Sequence, residues 1–205
     1  MAAPVSAVPV APLSFDDTRI AFEAKSDTEL RKMYALFAAM NNGSLVKTGG
    51  GLMKAALRFS LPGTKFLIKH TIFKQFCGGE TIQECQPVIA ELGRYHIGTI
   101  LDYSVEGTGN DQSFDRTRDE ILATINLAAS TPNIPFSVFK VTGLMPTELL
   151  EKTQAGTTLT AAEQAAFERG EQRLNALCAS AHERGVRLFV DAEESWIQQT
   201  IDDLA

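Results

Sequence analysis

The chain is 205 residues long, 44% hydrophobic and 21% charged, which suits one globular domain, or one domain with a small appendage, and a real core. Its net charge of -6 argues against nucleic-acid binding, and no apolar run reaches the ~18 residues needed to span a bilayer. Three cysteines (Cys77, Cys85, Cys178) have neither the even count of a disulfide scaffold nor zinc-ligand spacing, which fits a reducing, cytoplasmic interior.

Residues 1–14 are rich in Ala, Pro and Val. They lack the charged start and continuous apolar stretch of a secretory signal, and read as a disordered arm. Residues 15–95 read as a helical region. Ser26 and Glu29 form an S-x-x-E capping box, and Leu30, Met33, Tyr34 and Phe37 share one helical face before Asn41-Asn42-Gly43 stops the helix. Residues 45–76 are helical in tendency, apolar and basic, with breaks expected at "TGGG" and "LPG". Through Gly79 the chain carries ten Lys/Arg against five Asp/Glu, whereas nine oppose twenty from Glu80 onward. No acid falls between Leu30 and Gly79. Such a segment suits peripheral contact with an anionic membrane on its inner face, and equally suits helices packed on a domain with their lysines in water. "CGGET" then turns the chain into a helix from about Thr81 to Leu92.

Residues 96–205 have a different texture. "IGTILDY" predicts a strand ending near Asp102, and "FDRTRDEILATINLAAS" predicts a helix with Ile121, Ile125 and Ala128 inward. "PFSVFKVTG" is a second strand. A long helix opens at the box Thr160-x-x-Glu163, carries a stripe of Phe167, Leu174, Cys178 and Ala181, and ends at Gly185. "VRLFVDAE" is the third strand, after which Ser195 is expected to cap a helix anchored by Trp196. Strand–helix–strand–helix–strand with near-continuous apolar strands is the pattern of a parallel α/β sheet covered by helices.

Working residues in such folds sit at the carboxyl ends of strands, which here are Asp102, Lys140 and Asp191. Alternation puts Lys140 on one face with Phe136 and Val138, predicted to be the core face, where an ammonium needs a counter-charge or a bound anion. A strand-end lysine is more often a structural ion pair than a chemical group. Glu193 and Glu194 suit the solvated first turn of the next helix. Asp191 differs from them because it belongs to the strand. "KTGGG" lacks the order of a phosphate loop and reads as a flexible loop; His70, His96 and His182 lack ligand spacing, so no metal is expected. The residues leave open a barrel enzyme with Lys140 as a Schiff-base lysine. They also leave open a small non-catalytic module that covers its sheet edges by self-association.

Four stretches in this order, "TIFKQFCGGET", "ILDYSVEG", "FSVFKVTG" and "FVDAEESW", resemble the N-terminal half of the FAD-dependent proline dehydrogenases. The likeness runs from about Phe15 to the final residue. It implies N-terminal helices followed by the first three βα units of a (β/α)8 TIM-type barrel, with FAD across the carboxyl ends of the strands. It implies oxidation of L-proline to 1-pyrroline-5-carboxylate by hydride transfer to FAD, with electrons passed on to a quinone. By the same resemblance Lys140 binds the substrate carboxylate. Asp191 is the active-site aspartate, in ionic contact with Lys140, and the backbone of Ala192 lies against FAD. Closing such a barrel takes eight strands and typically about 250 residues. These 205 residues are therefore expected to be an incomplete barrel, inactive alone.

Overall fold

A computed structural model describes residues 15–103 and 109–205. The arm expected at 1–14 and the second half of the "ILDYSVEG" stretch lie outside the described residues. The chain divides into two compact units, Met1–Cys77 and Gly78–Ala205.

The first unit is helical. After a short α1 (Thr18–Ala21), α2 (Asp27–Met40) begins at the predicted box: the Glu29 backbone N–H donates to Ser26 Oγ, and the Glu29 carboxylate accepts from the Ser26 N–H. Helix α3 (Gly43–Arg58) is capped by Asn42, whose Oδ1 accepts from the Leu45 N–H at 3.1 Å. It runs unbroken through Gly49-Gly50-Gly51, where a loop was expected. Each helical glycine costs only about 1 kcal/mol relative to alanine, and no proline removes a hydrogen bond there. The predicted break at "LPG" is present, with Ser60 and Gly63 at positive φ of 51° and 83°. Beyond it α4 (Thr64–Ile68) passes through a π-helical turn at Lys69–Phe73 into α5 (Lys74–Phe76). None of the described residues of this unit is buried. The apolar face expected on α2 is open, with Tyr34 78% exposed. Its aromatic contacts are local: Phe37 meets Phe76 edge-on at 6.1 Å, and Phe66 stacks on His70 at 4.0 Å.

The second unit holds the core. Helix α6 (Ile82–Arg94) starts at Thr81, whose hydroxyl accepts from the Glu84 N–H. The segment 97–103, predicted as the first strand, makes no ladder. Its tie to the chain ahead of the sheet is the Thr99 N–H donating to Asn133 O at 2.8 Å. Pro135 has no N–H to extend this pairing, and its ring lies where a Cβ on Gly98 would come within 3.0 Å. Asp102 is consequently not a strand end; it lies exposed within an unladdered segment.

Asn110 caps α7 (Asp111–Ser130), which is followed by β1 (Phe136–Phe139), a 3-10 turn (Val141–Gly143) and α8 (Thr147–Gln154). The predicted Thr160/Glu163 box opens α9 (Ala161–Glu183), and Gly185 at φ 65° turns the chain into β2 (Arg187–Val190). The last helix is α10 (Gln198–Leu204). The sheet among the described residues is thus a parallel pair, β1–β2, in place of the three strands predicted.

Helices α7 and α9 supply Ile121, Ile125, Leu174, Leu177 and Ala181 to the core, which Phe139, Val141, Leu144 and Met145 join from β1 and the loop after it and Leu150, Ile197 and Ile201 complete. Cys178, expected in the α9 stripe, is exposed; Leu177, one position earlier, is buried in its place. Ser137 and Phe139 are the buried face of β1, and Ser137 Oγ meets Thr124 Oγ1 of α7 at 2.8 Å. Phe136 and Val138 therefore line the opposite, half-open face, and Lys140 joins them there rather than the helix-packed core. Ser195 does not cap α10. Gln154 of α8 does so, its Oε1 accepting from the Gln199 N–H at 2.9 Å while its Nε2 donates to Ser195 O at 3.0 Å. Ile197, not the 58%-exposed Trp196, anchors that turn in the core. Among the described residues no helix is long and apolar enough to cross a membrane.

Candidate active site at the carboxyl ends of two strands

Parallel strands deliver their carboxyl ends to one edge of the sheet, and β1 and β2 do so in a register that pairs Phe139 with Val190. The Asp191 N–H donates to Phe139 O at 2.9 Å, continuing the ladder one step. Lys140 keeps an extended backbone (φ -102°, ψ 138°), so Lys140 and Asp191 emerge side by side at the ends of adjacent strands. Both are half-buried, and the next residue, Ala192, is exposed. Asp102 is not part of this pair of strand ends.

Glu193 is where the structure departs furthest from expectation. It is half-buried, and its carboxylate accepts two hydrogen bonds from Thr142: from the backbone N–H at 3.1 Å and, through the other oxygen, from the hydroxyl. Its own N–H donates to Gln198 Oε1 at 2.8 Å. A side chain read as part of a solvated helix start is instead a cross-link between the loop after β1 and the loop after β2. Glu194 is exposed, as expected.

The loop after β1 is held from its other side by Arg173 of α9, which is 4% exposed. Its guanidinium donates to Leu144 O at 3.0 Å, to Asp115 Oδ1 at 2.8 Å and to Asp111 Oδ1 at 2.8 Å, and it lies 5.6 Å from the centre of the Phe114 ring. Burial opposes its charge, but the hydrogen bonds it donates to Asp115 and Asp111 outweigh that cost and raise its pKa. Hydrogen bonds from Arg169 and then Arg173 hold the Asp111 carboxyl below its usual range. No sequence motif announces Arg173; the one available signal is an arginine one position before Leu174 within a predicted buried stripe.

The open face of the sheet is aromatic and cationic. Phe136 and Phe189 stack at 4.5 Å, and the Arg187 guanidinium lies 4.3 Å from the centre of the Phe136 ring. At the strand ends the exposed Ala192 offers only a methyl, next to the Asp191 carboxylate and the Lys140 ammonium, which leaves room for a large planar group to approach the backbone there. Among the described residues no group of three or more His, Cys, Asp or Glu could hold a metal ion.

Comparison with known proteins bears on this geometry. A family model described as "Proline dehydrogenase" matches residues 85–205. Proline dehydrogenase 1, mitochondrial, of Dictyostelium discoideum is 32% identical over 176 residues, covering 68% of this chain and 31% of that protein. Carbapenem antibiotics biosynthesis protein CarD of Pectobacterium carotovorum subsp. carotovorum is 33% identical over 142 residues, covering 69% and 37%. A crystal structure of proline utilization A from Bdellovibrio bacteriovorus, inactivated by N-propargylglycine, matches with a TM-score of 0.52 at 16% identity, covering 91% of this chain and 20% of that one. The chain therefore spans about a third of the length of the first two relatives.

Proposed function

The chain belongs to the proline dehydrogenase family, and on that premise we propose that the full-length protein oxidises L-proline to 1-pyrroline-5-carboxylate, with FAD as hydride acceptor and a quinone as onward acceptor. The observation that carries the reading is the parallel register of β1 and β2, which presents Lys140 and Asp191 at adjacent strand ends.

Proline is a zwitterion, and the two strand ends offer one charge of each sign. The Lys140 ammonium binds the substrate carboxylate by a charge-assisted hydrogen bond. Asp191 would lie on the ring nitrogen's side of the substrate. That nitrogen gives up its ammonium proton to solvent before the hydride leaves, and the positive charge the carboxylate then steadies is the one that develops on the C=N nitrogen. FAD, when bound, supplies the acceptor for the hydride leaving the ring carbon beside that nitrogen. The Ala192 backbone would lie against it, a role its small side chain permits. Binding energy spent on the carboxylate serves orientation of the reacting carbon.

In this reading residues 15–95 are a helical region and 96–205 the opening βα units of a (β/α)8 barrel. Helices α7 and α9 would form part of its outer ring, and the Phe136–Phe189 face would look into its interior. The activity is assigned to a protein that carries the remaining strands, and these 205 residues alone are proposed to be inactive. The uncovered apolar and basic surface of 15–77 supports peripheral attachment to the inner face of a membrane, where a quinone is reached, with the protein otherwise cytoplasmic.

Anaerobic addition of L-proline to the purified full-length protein tests the assignment: the flavin absorbance is expected to bleach. A colourless protein, or a flavin indifferent to proline, would refute it. Borohydride is expected to trap no substrate adduct on Lys140, which separates this chemistry from a Schiff-base reaction.

A further inference from the structure

We infer that Glu193, through Thr142, is a positioning residue that fixes the spacing of Lys140 and Asp191; for its catalytic meaning the inference rests on the proline dehydrogenase reading. Glu193 lies two residues beyond Asp191, and Thr142 lies two residues beyond Lys140. The clasp therefore spans the same two chains as the strand ladder, one step outside it. On the strand side, the Asp191 N–H to Phe139 O bond holds the two chains together. On the loop side, both carboxylate oxygens of Glu193 are spent on Thr142, one on the N–H and one on the hydroxyl. Lys140 and Asp191 sit between these two fixed points.

Three features argue for a positioning device over a passive surface contact. The bonds are charge-assisted and join residues 51 apart in sequence. Thr142 is 4% exposed, so loss of its carboxylate partner leaves buried donors unsatisfied. Both ends are anchored independently: Arg173 holds Leu144 O beyond Thr142, and Gln198 holds the Glu193 N–H. A loop pinned on either side transmits a change at Glu193 to the strand end rather than absorbing it.

The test uses the full-length protein. Glu193→Ala is expected to raise KM for proline at least about fivefold, more than it lowers kcat, because the lost charge-assisted bonds serve ground-state placement of the carboxylate-binding lysine. Thr142→Val, which removes only the hydroxyl and so is the milder change, is expected to move KM in the same direction. The double variant is expected to be no worse than Glu193→Ala. Glu193→Gln and Thr142→Ser keep an acceptor and a hydroxyl and are expected to restore KM toward wild type, a rescue that a purely structural role does not predict at unchanged melting temperature. Wild-type KM in Glu193→Ala, or additive effects in the double variant, would overturn the inference and leave proline oxidation standing. Should the wild-type protein not oxidise proline, the functional reading fails and hydrogen exchange decides the clasp. Glu193→Ala is expected to speed exchange at 141–143, and Thr142→Val at 191–194; changes confined to the mutated loop would overturn it.

Discussion

Glu193 bonds across the sheet to Thr142, and each stands two residues past a strand-end residue of opposite charge, Asp191 and Lys140. The strand ladder and this clasp bracket the site from two sides. The two strand-end residues thus stand not on free loop tips but on a short frame, which the remainder of the unit reinforces.

Arg173 is the first part of that reinforcement. Arg173→Lys is expected to destabilise the protein by about 1–3 kcal/mol, since an ammonium cannot serve Leu144 O, Asp115 and Asp111 in one plane. Urea unfolding checks this, and a variant with the wild-type midpoint would show that the fork is dispensable.

Gly170 tests the packing behind the same loop. A Cβ there would lie 2.3 Å from Met145 Cε and 2.7 Å from Met145 Cβ. Alanine gains up to about 1 kcal/mol in helix propensity but meets an overpacking cost of roughly 1–3 kcal/mol. Gly170→Ala is thus expected to lower the melting temperature, and Met145→Ala in the same background to recover part of the loss.

Acid stability carries a signature of Glu163. Its hydrogen bonds from Lys152 and then from Thr160 lower its pKa from 4.5 to about 2. A carboxyl whose folded pKa is depressed contributes stability above its unfolded pKa and loses it as pH falls toward the folded one. The contribution is therefore whole above about pH 5 and vanishes as the pH falls to about 2. Glu163→Gln is expected to flatten the unfolding free energy in that window and leave its slope near neutral pH unchanged.

The uncovered helices of 15–77 make a prediction of their own. Charge reversal of Lys54, Arg58 and Lys65 together is expected to reduce co-sedimentation with vesicles containing anionic lipid, and most strongly at low salt. Sedimentation unchanged by the reversal would remove membrane contact from the account.

What could be read in the residues was what local chemistry decides. The boxes at Ser26–Glu29 and Thr160–Glu163 close within one turn and need no partner, and both form as written. The runs that became β1 and β2 show themselves by composition. Pairing is non-local, so the equally apolar 97–103 looked the same in sequence and yet makes no ladder. Leu177 and Cys178 are about 100° apart on a helix, too little for periodicity to choose between them. Three glycines read as a loop, whereas Gly49–Gly51 lie inside α3 with nothing within 4 Å of an added Cβ at any of them. Glu193 was hidden because its partner is 51 residues away. The equal offsets of Glu193 and Thr142 from the two strand ends were the available clue.

The most direct test of the central claim is a proline titration of the flavin in the full-length protein, wild type against Lys140→Met and Asp191→Asn. Wild-type flavin is expected to bleach at millimolar proline or below, whereas Lys140→Met should need at least about tenfold more, as loss of a charge-assisted bond to the carboxylate requires. Asp191→Asn should slow the bleaching. A wild-type flavin that ignores proline, or a Lys140→Met variant that titrates as wild type does, would contradict the account.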